Sequence, residues 1–292
     1  MSQLPVPERR VLSLHTTLGS DLVELKCSTL YYPVSCAKDG LTLVFTHGIA
    51  SHKEQYDPTI ARLLSHAQTR AVIRDIWVLD FPQPWSNRTS EPSVFDARKA
   101  NGKAMCWSCT LWIFALTSIP TSLTPIALIM VEPTLMFPSL TPTDPRSIHG
   151  AANVRGFDEV VDGQQGVWRK WDKRVLDLYV RCGFEEVNQS NLGTGKKESY
   201  VTPTLRKDEE SPLAVEEAGR GVHVIWADFE EFVSKASREE ILDAAEHRVV
   251  SQRTIKGAGH LVPQEKPDKL GEALVEILDE IVNGSGDTKA KL

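Results

Sequence analysis

Three stretches of the sequence place acid–base residues at the ends of apolar runs. Leu43-Val44-Phe45-Thr46 leads into His47-Gly48-Ile49. A glycine at such an exit lets the chain turn, so the next amide, that of Ile49, can face a developing negative oxygen. A plain strand-to-helix turn with a surface histidine is the competing account. Val222–Trp226 leads into Ala227-Asp228-Phe229-Glu230-Glu231, and an earlier run ends at Glu132. A carboxylate buried at such a place could hold an imidazole in one tautomer and stabilise its charged form. Solvated loop charges would look the same in sequence. The third stretch is Gly257-Ala258-Gly259-His260-Leu261-Val262-Pro263, small residues and then a histidine at the entry to a helix. Glycines permit close approach, and a histidine so placed can take a proton from a nucleophilic hydroxyl. A loop histidine satisfied by backbone is the weaker alternative here.

These residues need a frame. Val11–Leu14 and Leu22–Cys27 read as strands around a turn at Gly19-Ser20. Leu41–Thr46 is short, apolar and rich in β-branched residues, as expected of a strand buried on both faces. Asp57-Pro58 reads as N-cap and first-turn proline of a helix whose apolar face is Ile60, Leu63, Leu64 and Ala67. Ile76–Leu79, Ile126–Val131, Val222–Trp226 and Val249–Ile255 are further strands, and Asp268–Val282 is an amphipathic helix. The order points to an α/β fold with a mostly parallel sheet. Leu135 to about Ala218, helical around Trp171, Val175, Leu178 and Tyr179, reads as an inserted cap. The expected division is 1–134 with 219–292 as core and 135–218 as cap.

The chain has 292 residues, enough for one large α/β domain with a cap. Its net charge of −6 and lack of a basic stripe argue against nucleic acid as a partner. The five cysteines are an odd set, which fits a reducing compartment better than a disulfide framework. Cys106 and Cys109 form a C-x-x-C without the second ligand pair a zinc site needs, and no metal or cofactor is expected. The uncharged stretch Ala104–Val131 is long enough to span a membrane, but Pro120, Pro125 and its Ser and Thr residues favour two buried elements, Leu111–Leu116 and Ile126–Val131. The N-terminal MSQLPVPERR has the character of neither a signal nor a transit peptide.

Taken together, the three stretches resemble the α/β-hydrolase superfamily, with the fungal peroxisomal lipase-like and toxin-biosynthesis hydrolases as the most similar branch. Val131-Glu132-Pro133-Thr134 and Phe232-Val233 add to that resemblance. The resemblance implies hydrolysis of a carboxylic ester or lipid-derived small molecule by a Ser-His-acid mechanism. It assigns His260 as general base, Glu230 as the acid, with Asp228 and Glu132 as alternatives, and Ile49 as an oxyanion donor. Epoxide hydrolases resemble the same scaffold but usually show His-Gly-x-Pro, whereas Ala50 follows Ile49.

The family's central motif, G-x-S-x-G, is missing. Its nearest counterpart is Cys106-Trp107-Ser108-Cys109-Thr110, which has neither glycine. The glycines matter because the serine sits on a strained turn where helix and strand pass closely. Ser108 is thus the candidate nucleophile by position, and an ordinary turn serine by context. Codons offer an explanation. Trp85 and Trp107 are each followed by serine. With TCN serine codons, reading one base later turns each TGG into glycine. Gln83-Pro84-Trp85 can then read Asn-His-Gly, and Cys106-Trp107-Ser108 can read Val-Gly-His. The family commonly has His-Gly after the Asp80 strand and Gly-His before its serine. Residues 83–108 are therefore expected to be an out-of-frame or mis-spliced translation, with codon degeneracy as the rival account. A catalytically inactive scaffold or binding protein is the alternative function.

The sequence ends Ala290-Lys291-Leu292 after a polar spacer, Asn283-Gly284-Ser285-Gly286-Asp287-Thr288. This resembles the S-K-L peroxisomal address, which an import receptor would read, and implies a peroxisomal location; a cytoplasmic one is the alternative.

Overall fold

The computed structural model describes residues 5–18, 21–35, 38–48, 51–80, 83–84, 126–133, 166–182, 221–244 and 248–284. Their strands form two sheets. The first contains β1 (Glu8–Leu18), β2 (Asp21–Pro33), β3 (Leu41–Thr46), β4 (Ile73–Leu79) and the short β5 (Gln83–Pro84). Its order is β1-β2-β4-β3, and β5 pairs with the opposite end of β2 from β4. The second contains β6 (Leu128–Val131), β7 (Val222–Ala227) and β8 (Val249–Ile255), in that order. The pairs β3–β4, β6–β7 and β7–β8 are parallel, and every antiparallel pair among the described residues includes β2.

The helices are α1 (Asp57–Ser65), α2 (Ala67–Val72), α3 (Lys173–Cys182), α4 (Lys235–Ala244), α5 (Val262–Glu265) and α6 (Pro267–Gly284). Short 3-10 turns, Lys53–Tyr56 and Gly166–Lys170, precede α1 and α3. The apolar face expected over Ile60–Ala67 breaks at His66, whose ψ of 109° is extended, so Ala67 starts a second helix. Asp57 is not the N-cap of α1: Tyr56 holds that position, Asp57 already has helical backbone (φ −50°, ψ −47°), and its carboxylate accepts from the Tyr32 hydroxyl.

β7 shows how the sheets are covered. All six of its residues are buried. Ile225 and Ala227 face a core shared with Ile60, Leu63 and Leu64 of α1 and Leu270, Leu274 and Ile277 of α6. Val222, Val224 and Trp226 face a second core with Met130, Val233 and Ile241 of α4. That alternation is the period-two signature of a strand with helices on both faces. The first core also contains Leu30, Ile76 and Val78 from the first sheet, so both sheets rest on one apolar layer under α1 and α6.

Of the stretch Ala104–Val131, the described part is Ile126 onward, and Leu128–Val131 is strand. No helix among the described residues is long and apolar enough to cross a membrane. Leu111–Leu116, the body of the proposed cap outside 166–182, and residues 85–108 lie outside the described residues.

Candidate active site

His260 sits on the loop between β8 and α5, at the ends of the parallel strands. Its side chain is 22% exposed, and Nδ1 lies 4.0 Å from Oε1 of Glu132. That is ion-pair reach rather than a hydrogen bond, and Nδ1 has no hydrogen-bond partner among the described residues. The ring of Phe232 packs against the imidazole with centroids 4.8 Å apart.

Glu132 is held there by its backbone. Its φ is +44°, the one positive φ among the described non-glycine residues, and Pro133 follows. Left-handed backbone at a residue other than glycine is strained, and such strain concentrates at functional sites. Its N–H donates to Ile225 O at 2.8 Å, which ends β6 beside β7. The carboxylate is 2% exposed; Oε2 accepts the Ala227 N–H at 2.5 Å, and Oε1 lies 3.5 Å from Arg238 Nη2. Arg238 comes from α4, and sequence reasoning did not single it out.

The acids of the loop after β7 are placed elsewhere. Glu230 accepts the Lys235 N–H at 3.0 Å, at the start of α4. Asp228 pairs with Lys256 at 2.8 Å and accepts the Gly257 N–H at 3.0 Å. It therefore closes the turn that leaves β8, where Gly257 has φ +72°. Glu132, the strand-end alternative, is the carboxylate brought to the imidazole. Ser108 and Ile49, the candidate nucleophile and oxyanion donor, lie outside the described residues.

His47 is not the surface histidine that the plain-turn account expected. It is 4% exposed, and its Nε2 is 3.1 Å from Asp80 Oδ1. Asp80 also accepts the Lys53 N–H at 2.9 Å and pairs with the Lys53 ammonium. This cluster ties the ends of β3 and β4 to the turn before α1. Gly48 has no positive φ, and an added Cβ would meet nothing within 4 Å among the described residues. Gln264 on α5 joins the two halves of the site. Its amide donates to Ser51 Oγ and to Gln55 Oε1, each at 2.9 Å.

Burial raises the Asp80 carboxyl, but hydrogen bonds from His47 and Lys53 and the Lys53 charge outweigh it and hold it at about 2. Burial also raises Glu54, while His52 and Lys53 bring it to about 2. Both values are below those of unfolded carboxyls, so the stability they contribute is complete above about pH 4.5 and is lost as pH falls towards 2. Asp57 works the other way, since burial raises it. We expect Asp80→Asn to lower stability at pH 7 on the order of 2 kcal/mol and to flatten the acid limb of urea midpoints measured between pH 7 and 3. An unchanged acid limb in that variant would show that Asp80 is not the group responsible.

Gly259 is a second testable point. A Cβ there would meet Glu265 Oε1 at 2.8 Å and Glu231 Oε2 closer still. Both are ends of flexible side chains that can swing aside, so Gly259→Ala should cost about 1 kcal/mol in urea unfolding, through the hydrogen bonds those carboxylates make to the loop. A neutral substitution would mean that the two carboxylates do not crowd this backbone.

No protein-family model matches the sequence, and no curated protein matches it. Solved structures do match. The chain superposes on the peroxisomal alpha-beta-hydrolase Lpx1 of Saccharomyces cerevisiae with a TM-score of 0.59 at 13% identity, covering 95% of this chain and 90% of that one. An esterase from Mycobacterium tuberculosis gives 0.56 at 15% identity, covering 94% and 92%. The carboxylesterase CesB of Bacillus subtilis gives 0.51 at 16%, covering 95% and 92%. The chain therefore has the α/β-hydrolase fold.

Proposed function

We propose that this chain descends from a serine-type hydrolase of carboxylic esters or lipid-derived small molecules, and that His260 with Glu132 is its base–acid pair. The observation that carries the reading is the approach of His260 to Glu132 from two separate strand ends, 4.0 Å apart. Glu132 orients the imidazole and stabilises its cation, and His260 takes and returns the proton of the attacking group. No cofactor is needed for that chemistry. The esterases and hydrolases of the same fold support the ester class. The test is turnover of p-nitrophenyl butyrate by the purified chain beside His260→Ala. A rate that depends on His260, however small, supports the reading; equal rates overturn it. A second reading, a catalytically inactive binding protein of this fold, is favoured by the missing glycines around Ser108.

The location we propose is the peroxisome, on the resemblance of Ala290-Lys291-Leu292 to the S-K-L address. Asn283–Leu292 fused to the C-terminus of a fluorescent reporter should give puncta that coincide with a peroxisomal marker. Diffuse signal, unchanged on deletion of Leu292, would sink the idea.

A further inference from the structure

The loop that carries His260 is suspended from carboxylates. Gly257 N–H donates to Asp228 at 3.0 Å, Gly259 N–H to Glu265 at 2.8 Å and His260 N–H to Glu231 at 3.3 Å. Asp228 is paired with Lys256 next to the same turn, and Glu265 follows in α5. Glu231 differs, because its second oxygen accepts from the ammonium of Lys170, a residue of the segment Gly166–Cys182.

That segment is strapped across both halves of the site. Asp172 N–H donates to Gln264 O at 2.8 Å, and Arg174 reaches Asp268 of α6 at 2.8 Å. Val175 is fully buried, Trp171 packs edge-on against Tyr179 with centroids 5.1 Å apart, and Tyr179 meets His52 at 5.5 Å. The strap thus runs from the base loop to the turn before α1. The Glu231 carboxyl is held below its ordinary range chiefly by the Lys170 hydrogen bond, against burial, with the His260 N–H adding to the effect. It stays an anion with both oxygens engaged.

We propose that Glu231 is a positioning residue for the general base, transmitting the hold of the Gly166–Cys182 strap through Lys170 to the main chain of His260. This rests on reading His260 as the base. The mechanism is geometric. A carboxylate shared between a strap ammonium and the His260 amide fixes the height of the loop, and with it the distance of the imidazole from Glu132. Glu231 therefore acts through His260 and does not meet the reacting atoms.

The experiment uses the full chain and no turnover, so hydrolytic silence does not touch it. Amide hydrogen exchange and the imidazole Cε1–H signal of His260, assigned by its loss in His260→Ala, are followed by NMR. In Glu231→Ala the His260 amide should exchange about tenfold faster, the size of one lost hydrogen bond, and the imidazole signal should move. Glu231→Gln keeps an acceptor for the amide and should restore its protection, while the strap amide of Asp172 exchanges faster. Lys170→Met should loosen Asp172 equally and shift the same imidazole signal. Adding Glu231→Gln to it should change nothing further, since the two residues form one link. Wild-type exchange at His260 in Glu231→Ala overturns the proposal. Should that variant fail to fold, an unmoved imidazole signal in Lys170→Met overturns it instead.

Discussion

Glu132→Ala should lower the unfolding free energy of this chain by about 3–5 kcal/mol, the range found when one member of a buried charged cluster is removed. Three groups lose their partner. The Ala227 N–H, donated at 2.5 Å inside the fully buried strand β7, is left without an acceptor. Arg238, with a side chain only 15% exposed, keeps its charge without the carboxylate 3.5 Å away. His260 Nδ1 loses the anion 4.0 Å away. The substitution does not relieve the backbone, since alanine at φ +44° is as strained as glutamate. Glu132→Gly should therefore be about 1 kcal/mol less damaging than Glu132→Ala, although it removes the same carboxylate. The comparison that shows which carboxylate is built into the ends of the strands is Glu230→Ala. Glu230 is exposed and accepts a single N–H at the start of α4, so its loss should cost about 1 kcal/mol. Urea unfolding followed by tryptophan fluorescence separates these cases. If Glu230→Ala costs more than Glu132→Ala, the pairing drawn here is wrong.

The same residues show what the sequence could and could not disclose. β3 and β8 begin and end where the β-branched stretches do, but β3 is not buried on both faces as its apolar run suggested, since its burial alternates and Val44 is exposed. The loop of His260 was legible for a related reason: small residues before a histidine describe a crowded turn, and Gly259 is crowded by two carboxylates. The acid was not. The resemblance put the acid in the loop after β7, at Glu230, with Asp228 and Glu132 as alternatives. What brings Glu132 to His260 is the parallel pairing of β6 with β7 and a positive φ at Glu132, and neither leaves a mark in residue type. Glu-Pro after a strand was the available signal, and it was weak. The burial of His47, which the plain-turn account did not expect, is equally invisible in sequence, since Asp80 reaches it from the end of another strand and is itself held by Lys53. Asp57 looked like a helix cap because that is the local use of such a residue; the helix takes it in as its first residue instead, with Tyr56 at the cap position.

The largest expected effect lies in catalysis. The purified chain should hydrolyse p-nitrophenyl butyrate feebly, on the order of 10^6-fold below a serine esterase with its nucleophile in place. His260 and Glu132 can orient and move a proton, but a base accelerates acyl transfer only when a nucleophile stands in line with it. In this fold that nucleophile is a serine on a turn flanked by glycines, and here Ser108 is flanked by Trp107 and Cys109. Donors and binding alone leave roughly 10^3–10^4 over water, so a measurable but slow rate is expected rather than none. Replacing the bulky flanks of Ser108 to give a G-x-S-x-G turn, a change distinct from the shifted reading frame in which Trp107-Ser108 reads Gly-His, should raise turnover at least about 10^3-fold, and His260→Ala in that chain should remove the gain. Reading the cDNA across Gln83–Cys109 shows whether that frame occurs in the transcript. Two results would defeat the argument. One is fast turnover by the chain as it stands, abolished by Ser108→Ala, which would make Ser108 a working nucleophile without glycines. The other is a restored turn that gains no activity, which would mean that His260 and Glu132 are a structural pair in a protein that binds without hydrolysing.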